Sequence, residues 1–313
     1  MRADQNAPCL TLLQTPIFLY NVKVNIKPVY KEVEAKSALH KLKRKFPYGW
    51  DLNLYRGCSH DCVYCYAISS HQYPGCKDFS GELLVKTNIA EVLEKELRAP
   101  GWKRDVINIG GVTDSYQSAE QHYRLMPQVL KLLIKYKNPA IISSKSDLIL
   151  RDYDLIDQLS HLTYINVAQT ITSWDESVRE KIEPGAVSSA KRFAVLKEFR
   201  KTNASLGLHV MPIIPYLTDH QENFQELCSR GREVDVDYLL PGTLYLRGNT
   251  RSRFFDFIQN EYPDLTDQFR MLYKTGSAGK PYKEEMYIVL NSFRDKYNLS
   301  GSYMKPMKEK MSK

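Results

Sequence analysis

Short apolar runs alternate with amphipathic segments from about residue 51 to residue 240. Apolar runs of this length, bounded by polar or glycine-containing stretches, indicate buried strands. They cover residues 51–55, 83–85, 105–109, 140–144, 164–168, 206–211 and 237–240. Between most of them, apolar residues recur at helical spacing, which predicts helices at 88–98, 119–136, 148–161, 173–181, 188–201 and 221–231.

This alternation of strand and helix predicts an α/β fold with parallel strands joined by right-handed crossovers. A closed or partly closed barrel and a doubly wound sheet both satisfy the pattern, and the periodicity does not choose between them. In either fold, ligands bind at the carboxyl ends of the strands. That rule puts Cys58, Gly110, Ser144, Thr170 and Pro215 on one face of the protein.

The two ends of the chain lie outside this alternation. We expect an N-terminal extension at 1–46, a β/α core at 47–246 and a helical C-terminal extension at 247–313. The first extension alternates apolar and polar residues around 16–26, as an extended arm would. In the last, Arg251 and Arg253 stand beside Phe254, Phe255 and Phe257. Packing of an amphipathic helix is favoured there over contact with nucleic acid.

Cysteines are concentrated in one short stretch. Cys58, Cys62 and Cys65, at the spacing C-x-x-x-C-x-x-C, are half of the six cysteines in the chain. Thiolates suit zinc or an iron–sulfur cluster. A structural zinc site needs four protein ligands, and His60 or Cys76 is the candidate for the fourth. Three thiolates on a four-iron cubane leave one iron open for a reaction. Tyr64 lies between the last two cysteines, where its flat side chain can cover a planar ligand.

Composition sets broader limits. The chain has 313 residues, 43% of them hydrophobic and 26% charged, which is ordinary for a globular protein. It has no run of about 18 apolar residues and no apolar core of a signal peptide, so no membrane span is expected. We expect a cytoplasmic protein, in which thiols stay reduced. The net charge of +8 moderately favours a polyanionic partner such as nucleic acid.

The cysteine spacing, with an aromatic residue directly before the last cysteine, resembles the signature of the radical S-adenosylmethionine (SAM) enzymes. In that superfamily the three cysteines hold a [4Fe-4S] cluster, and the open iron binds the amino and carboxylate groups of SAM. The resemblance therefore implies Cys58, Cys62 and Cys65 as cluster ligands and SAM as a cofactor. It also implies an electron donor such as flavodoxin or ferredoxin.

A set of further motifs, in order along the chain, resembles the spore photoproduct lyase-like radical SAM proteins, which are described as related to DNA repair photolyases. They are NLYRGC (53–58), VTDSYQSAE (112–120), SKSDLILRD (144–152), IEP (182–184) and PIIP (212–215). The resemblance spans about residues 35–263. It implies a partial (β/α)6 TIM-like barrel of the radical SAM type, with N- and C-terminal extensions.

The resemblance also assigns residues to SAM binding. Gly110 and Gly111 lie where the superfamily has a Gly-Gly-Glu type strand end that contacts the SAM amino group. Val112 replaces the acid in this chain, so backbone carbonyls, Thr113 or Asp114 would serve instead. Ser144 and Lys145 end the next strand, where polar groups can meet the SAM carboxylate or ribose, and a cation suits a carboxylate. The residues around Tyr64 complete this predicted site.

Several of these residues also have purely structural interpretations. Asp114 can cap the following turn, and Lys145 can be a surface lysine at a helix start. Arg151 and Asp152 can form an ion pair at a helix start. For Arg192, pairing with Glu183 and contact with SAM both stay open.

The function expected from the resemblance is reductive cleavage of SAM to a 5′-deoxyadenosyl radical, followed by hydrogen abstraction from an unidentified substrate. A lyase-like reaction on nucleic acid is one hypothesis, and modification of a peptide, RNA or small metabolite is another. A third is a non-catalytic, zinc-stabilised nucleic-acid-binding module. Spore photoproduct lyase uses an additional cysteine as a hydrogen donor. The segment 106–112, where it would be sought, has none, which puts repair of thymine dimers in doubt.

Overall fold

A computed structural model describes residues 28–42, 48–70 and 78–311. The predicted arm at 16–26, the basic residues Lys43, Arg44 and Lys45, and the cysteines Cys9 and Cys76 lie outside these residues. Within the described residues, no helix combines the length and the apolar character needed to cross a membrane.

The described residues form ten β-strands, which are numbered in chain order. They are β1 Val29–Val33, β2 Leu39–Lys41, β3 Trp50–Leu52, β4 Tyr55–Arg56, β5 Glu82–Lys86, β6 Ile107–Ile109, β7 Ala140–Ser144, β8 Ile165–Thr170, β9 Ser205–Ile213 and β10 Tyr238–Thr243.

The same residues form eleven α-helices. They are α1 Ile89–Leu97, α2 Ser118–Tyr123, α3 Leu125–Tyr136, α4 Tyr153–Leu162, α5 Glu176–Ile182, α6 Ser189–Phe199, α7 Gln221–Glu233, α8 Gly248–Glu261, α9 Thr266–Leu272, α10 Lys280–Lys296 and α11 Met304–Met311. Short 3₁₀ helices occupy Tyr66–Ser70, Leu148–Asp152 and Pro263–Leu265.

Seven strands form the main sheet, in the order β2-β3-β6-β7-β8-β9-β10. Six of them are parallel, and β2 pairs antiparallel with β3 at one end. Each new parallel strand is added on the same side as the last, whereas a doubly wound sheet reverses its direction at a switch point. The order is that of an open barrel wall, so the fold is a partial TIM-like barrel, as predicted.

Burial explains why these segments form the wall. All six residues of β8 are buried, as expected for a parallel strand that is covered on both faces. Two of the helices begin at side-chain caps: Asp175 accepts backbone N–H groups at the start of α5, and Ser188 accepts one at the start of α6.

A second sheet of three strands, in the order β1-β5-β4, stands beside the barrel. Its strand β4 pairs with β5 and leads directly into the cysteines. Strands β1 and β2 belong to the segment predicted as an extension, and they add to both sheets. The domain boundaries themselves remain a prediction.

The C-terminal helices cover both ends of the barrel. Phe254 and Ile258 of α8 lie in one apolar cluster with Cys62, Val63 and Tyr64. At the opposite end, Met307 of α11 packs with Val106 and Tyr164, which come just before strands β6 and β8. Helix α8 therefore borders the predicted site, and α11 closes the amino-terminal end of the barrel.

Candidate functional site

The cysteine loop begins at a glycine that no other residue could replace without strain. Gly57 has φ +82°, and a Cβ there would lie 2.7 Å from the Phe79 carbonyl oxygen. The next residue, Cys58, donates its backbone N–H to that same oxygen at 3.0 Å. The chain thus turns sharply out of β4 at Gly57, and the three cysteines follow on a short loop.

Residues of the motif at 112–120 hold the first half of this loop. Gln117 accepts the backbone N–H of Ser59 at 2.8 Å and donates to the Gly57 carbonyl at 3.1 Å. The Thr113 hydroxyl donates to the same carbonyl at 2.6 Å. The side chain of Thr113, predicted to contact SAM, is therefore engaged with the loop backbone.

Asp114 joins the loop to the ends of two strands. Its carboxylate lies 3.0 Å from Nε2 of His60 and accepts the Ser144 hydroxyl at 2.9 Å. It also accepts the backbone N–H groups of Lys145 and Tyr116, at 2.7 and 2.8 Å. Burial alone would raise the pKa of Asp114, but the His60 charge and these hydrogen bonds lower it to about 2. Asp114 and Ser144 are thus fully occupied by protein groups.

The three cysteines carry free thiols. Cys58 and Cys62 are buried and Cys65 is half-buried. Burial raises the pKa of Cys62 to about 12, although the nearby charge of Lys145 acts to lower it. The pKa of Cys65 is also raised by burial, against backbone N–H groups of Ala67 and Ile68 and the charges of Lys145 and Arg253. Protons must leave these thiols before they can bind metal, and the cations favour that loss.

A single zinc ion and a four-iron cluster need different spacings of the thiols. In the described part of the chain, no three His, Cys, Asp or Glu side chains converge closely enough to share a single metal ion. Around one zinc ion, with Zn–S bonds of about 2.3 Å, thiolates stand roughly 3.8 Å apart. In a cubane each cysteine binds a different iron, so the sulfurs are spread more widely.

A buried group of charges lies beside Cys62. Arg192 and Glu183, both fully buried, form an ion pair with Nη1 and Oε2 2.5 Å apart. The Tyr64 hydroxyl donates to Glu183, and the Lys145 ammonium lies 5.8 Å from the Tyr64 ring centroid. Burial alone would lower the pKa of Lys145, but Cys62 and Glu183 hold it above its usual range. Nη2 of Arg192 is buried and has no hydrogen-bond partner among the residues that the structure describes.

The backbone of Gly110 and Gly111 is connected to the cysteine loop by a hydrogen bond from Tyr66, the residue after the last cysteine. The Tyr66 hydroxyl donates to the Gly111 carbonyl, and Gly110 continues the edge of β6 by donating its N–H to Leu52 at 3.0 Å. All of the predicted SAM-binding residues thus lie around the cysteine loop. Tyr64, Gly110, Gly111 and Lys145 remain predicted SAM contacts, and so do Thr113, Asp114 and Ser144, although their side chains already have protein partners.

Two features of the site were not predicted. A Cβ on Gly185 would lie 2.2 Å from the Ser59 carbonyl oxygen, so only glycine lets this turn pack against the loop. Arg253 of α8 donates to the side chain of Asp61, inside the loop. Gly185, directly after the IEP motif, is a residue from which a close turn could have been predicted. Nothing in the sequence pairs Arg253 with Asp61.

Arg151 and Arg251 both bond to other groups of the protein. Arg151 pairs with Glu120 and Asp152 at 2.6 and 2.7 Å, and Tyr55 donates to the same Glu120 at 2.5 Å. This group of side chains links Tyr55 of β4 to Glu120 of α2. Arg251 donates to the carbonyls of residues 273 and 275. Packing of α8, with its phenylalanines inward, is the observed arrangement.

Comparison with known proteins agrees with this geometry. The sequence profile of the Radical SAM superfamily matches residues 52–228, more than half of the chain. An uncharacterized protein of Mycobacterium tuberculosis is 34% identical over 281 residues, which are 88% of this chain and 82% of that protein. An uncharacterized protein of Methanocaldococcus jannaschii is 26% identical over 78% of this chain and 86% of its own length.

Among solved structures, spore photoproduct lyase complexed with dinucleoside spore photoproduct has a similar fold. Its TM-score is 0.63 at 16% identity, over 86% of this chain and 79% of that one. A mutant of the same enzyme with bound AdoMet and dinucleoside spore photoproduct gives a TM-score of 0.62 at 17% identity, with the same coverage. The profile match over most of the barrel, together with the three free thiols on its strand-end face, shows that the chain belongs to the radical SAM superfamily, whose members use a [4Fe-4S] cluster and S-adenosylmethionine.

Proposed function

We propose that this protein uses Cys58, Cys62 and Cys65 to hold the cluster and the adjoining strand ends to hold SAM. The observation that carries the proposal is the pair of cationic side chains, Arg192 and Lys145, beside the thiols. Within the described part of the chain, the Arg192 Nη2 group has no hydrogen-bond partner, and the Lys145 ammonium lies close to Tyr64 and Cys62. A buried donor without a partner is costly, and a carboxylate ligand such as that of SAM would satisfy it.

The proposed reaction is hydrogen abstraction from an unidentified substrate. When bound and reduced, the cluster supplies the electron that cleaves SAM to methionine and a 5′-deoxyadenosyl radical. The chain's own part is to bind and orient. The backbone of Gly110 and Gly111 borders the site, Tyr64 covers one side of it, and Lys145 supplies positive charge for a carboxylate. An electron donor such as flavodoxin or ferredoxin is part of this proposal.

Formation of 5′-deoxyadenosine tests the proposed reaction. The reconstituted protein is incubated without oxygen with SAM and dithionite, and the product is measured by liquid chromatography and mass spectrometry. We expect product from the wild type and from C228A, which removes a cysteine buried in α7 away from the loop. We expect none from C62A. Equal product from C62A and the wild type would reject the proposed ligands.

Nucleic acid is the substrate class that we propose to test first, in a lyase-like reaction. Support comes from the net charge of +8 and from three exposed tyrosines that follow the last cysteine or a barrel strand, Tyr66, Tyr216 and Tyr245. Tyr216 and Tyr245 follow strands β9 and β10, and bases stack well on such rings. Arg251 and Arg253 are engaged within the protein and do not support this choice. Modification of a peptide, RNA or small metabolite is the alternative.

Binding to single-stranded DNA can be measured by fluorescence anisotropy at several salt concentrations. A base stacked on Tyr245 is worth about 1–3 kcal/mol, so Y245A should weaken binding by about fivefold or more. M271A, which changes a residue that is 66% exposed on α9, is the control and should bind like the wild type. Equal affinity of Y245A and the wild type, or binding that does not depend on salt, would direct the search to another substrate.

A further inference from the structure

Helix α8 of the C-terminal extension contacts the cysteine loop at two separate points. The Thr250 hydroxyl donates to the backbone carbonyl of Cys65 at 2.9 Å. Arg253, almost one turn further along, donates through Nη2 to the Asp61 carboxylate at 2.5 Å and to the Asp61 carbonyl at 3.2 Å. One helix therefore holds the segment between the first two cysteines and also the last cysteine.

The position of this helix is fixed by packing. Thr250, Phe254 and Ile258 are fully buried, and the last two pack in the same apolar cluster as Tyr64. Ser69 adds hydrogen bonds to the Thr250 hydroxyl and to the Arg247 carbonyl, both at 3.1 Å. Arg253 thus projects from a helix whose position is fixed by packing, which places its guanidinium against the cysteine loop.

The backbone conformation and the charge of Asp61 both favour a contact with a cation. It is the residue before Cys62 and has φ +52°, in the left-handed region that is unfavourable for a residue other than glycine. Its carboxylate also brings a negative charge next to the site. Arg253 restrains the backbone through the carbonyl and offsets the charge through the carboxylate.

We propose that Arg253 is a positioning residue of the cluster site, which fixes the loop at Asp61 and makes the site easier to reduce. The inference rests on the proposed function. The redox step is a one-electron transfer from an external reductant to the cluster, without a bond or proton transfer at Arg253. Because reduction adds one negative charge, a nearby cation favours it and a nearby anion opposes it. The Arg253 and Asp61 side chains are 31% and 29% exposed, so solvent reduces both effects.

The test is a potentiometric titration of the reconstituted protein, followed by EPR of the reduced cluster. R253Q leaves Asp61 unpaired, so we expect about a two- to fivefold smaller ratio of reduced to oxidised cluster at a fixed potential. At 59 mV per tenfold for one electron, that is a midpoint about 20–40 mV lower. D61N should shift the midpoint upward, and R253Q/D61N should return towards the wild type. R270Q breaks an exposed pair on α9 and should change nothing.

Opposite shifts that cancel in the double variant would distinguish charge from general damage to the loop. Equal midpoints in wild type, R253Q and D61N, or shifts of the same sign, would overturn the inference. If R253Q folds by circular dichroism but takes up less iron than R270Q, the positioning part is supported, and D61N then tests the charge part. A wild type that takes up no cluster at all would instead count against the proposed function.

Discussion

His209 lies inside the barrel, and its hydrogen bonds fix which ring nitrogen carries the proton. Asn166 donates its amide to the Ser205 carbonyl at 3.1 Å, so its oxygen faces Tyr238, whose hydroxyl donates to it at 3.1 Å. The hydroxyl oxygen is then left to accept Nε2–H of His209 at 3.0 Å. Nδ1 carries the lone pair, 3.5 Å from the Ser143 hydroxyl.

We expect His209 to stay neutral well below neutral pH. Burial, with a further contribution from the Lys145 charge, lowers its pKa to about 4, below the unfolded value of about 6.5. Unfolded chains therefore take up this proton first, and the contribution to stability is lost as the pH falls from about 6.5 towards 4. Nitrogen-15 NMR of histidine-labelled protein should show the Nε2–H form from pH 8 to 5. A ring that titrates near pH 6.5 would contradict the assignment.

The Asp114 carboxylate should be needed for a native cysteine loop. D114N removes the charge that faces His60 within a buried pair, and removal of one partner from such a pair costs about 3–5 kcal/mol. Urea unfolding of the metal-free protein should show a loss of this order. The control is D267N, which breaks an exposed pair with Arg270 and should change stability by less than about 0.5 kcal/mol. If D114N matched this control, His60 and Asp114 would not be coupled.

Sequence reasoning singled out residues that lie around the cysteine loop, but it did not predict most of their partners. The spacing of the thiols identified the loop, and the pairing of Glu183 with Arg192 was one of two alternatives. Their ion pair depends on how α5 and α6 pack, which no local pattern encodes. The four groups that hydrogen-bond the Asp114 carboxylate likewise come from the loop, from its own turn and from the end of strand β7.

At the scale of elements, the turn at Gly185 is the most sensitive contact with the cysteine loop. In G185A, the new methyl would overlap the backbone of Ser59 and His60, at 2.2 and 2.8 Å. Overpacking of this kind typically costs about 1–3 kcal/mol, and the loop would have to move. We expect G185A to fold, with a lower melting temperature and less iron after reconstitution.

G101A is the matched control for G185A, because a Cβ at Gly101 meets no atom of the described residues within 4 Å. It should load iron and melt like the wild type. Equal iron content in G185A and G101A would show that the loop tolerates displacement, and the close contact would then have no role in forming the site.

One helix was predicted as continuous and is divided. The periodicity predicted a helix at 119–136, but α2 ends at Tyr123, and Arg124 has φ +48°. Pro127 has no N–H to donate, so it is tolerated only in the first turn of a helix, and α3 accordingly restarts at Leu125. Glu120 caps that restart by accepting the N–H groups of Leu125 and Met126, both at 3.1 Å. Pro127 is therefore the residue from which the division of this helix could have been predicted.

At the scale of the whole molecule, the alternation of strands and helices predicted the fold class, but it did not distinguish a barrel from a doubly wound sheet. The resemblance of the motifs chose the barrel, and the strand order confirms it. The covering of its two ends by α8 and α11 could not be predicted, because those contacts join residues far apart in sequence. Arg253 and Asp61, for example, are separated by 192 positions.

Closure of the amino-terminal end by α11 should contribute to global stability. Met307 is 7% exposed and packs with Val106, Ile141 and Tyr164. M307A should lower the free energy of unfolding by about 2 kcal/mol or more, as is usual for a buried methionine. M311A changes a residue of the same helix that is 50% exposed and should have little effect. If M307A and M311A melted alike, α11 would not be part of the folded core.

The central claim is that three thiols hold a cluster with an open iron that binds SAM. The most direct measurement is the iron content and EPR spectrum of protein reconstituted without oxygen and reduced, with and without SAM. We expect about four irons per chain and a spectrum that changes when SAM is added. A colourless protein with one zinc per chain, or a cluster whose spectrum is the same with and without SAM, would contradict the account.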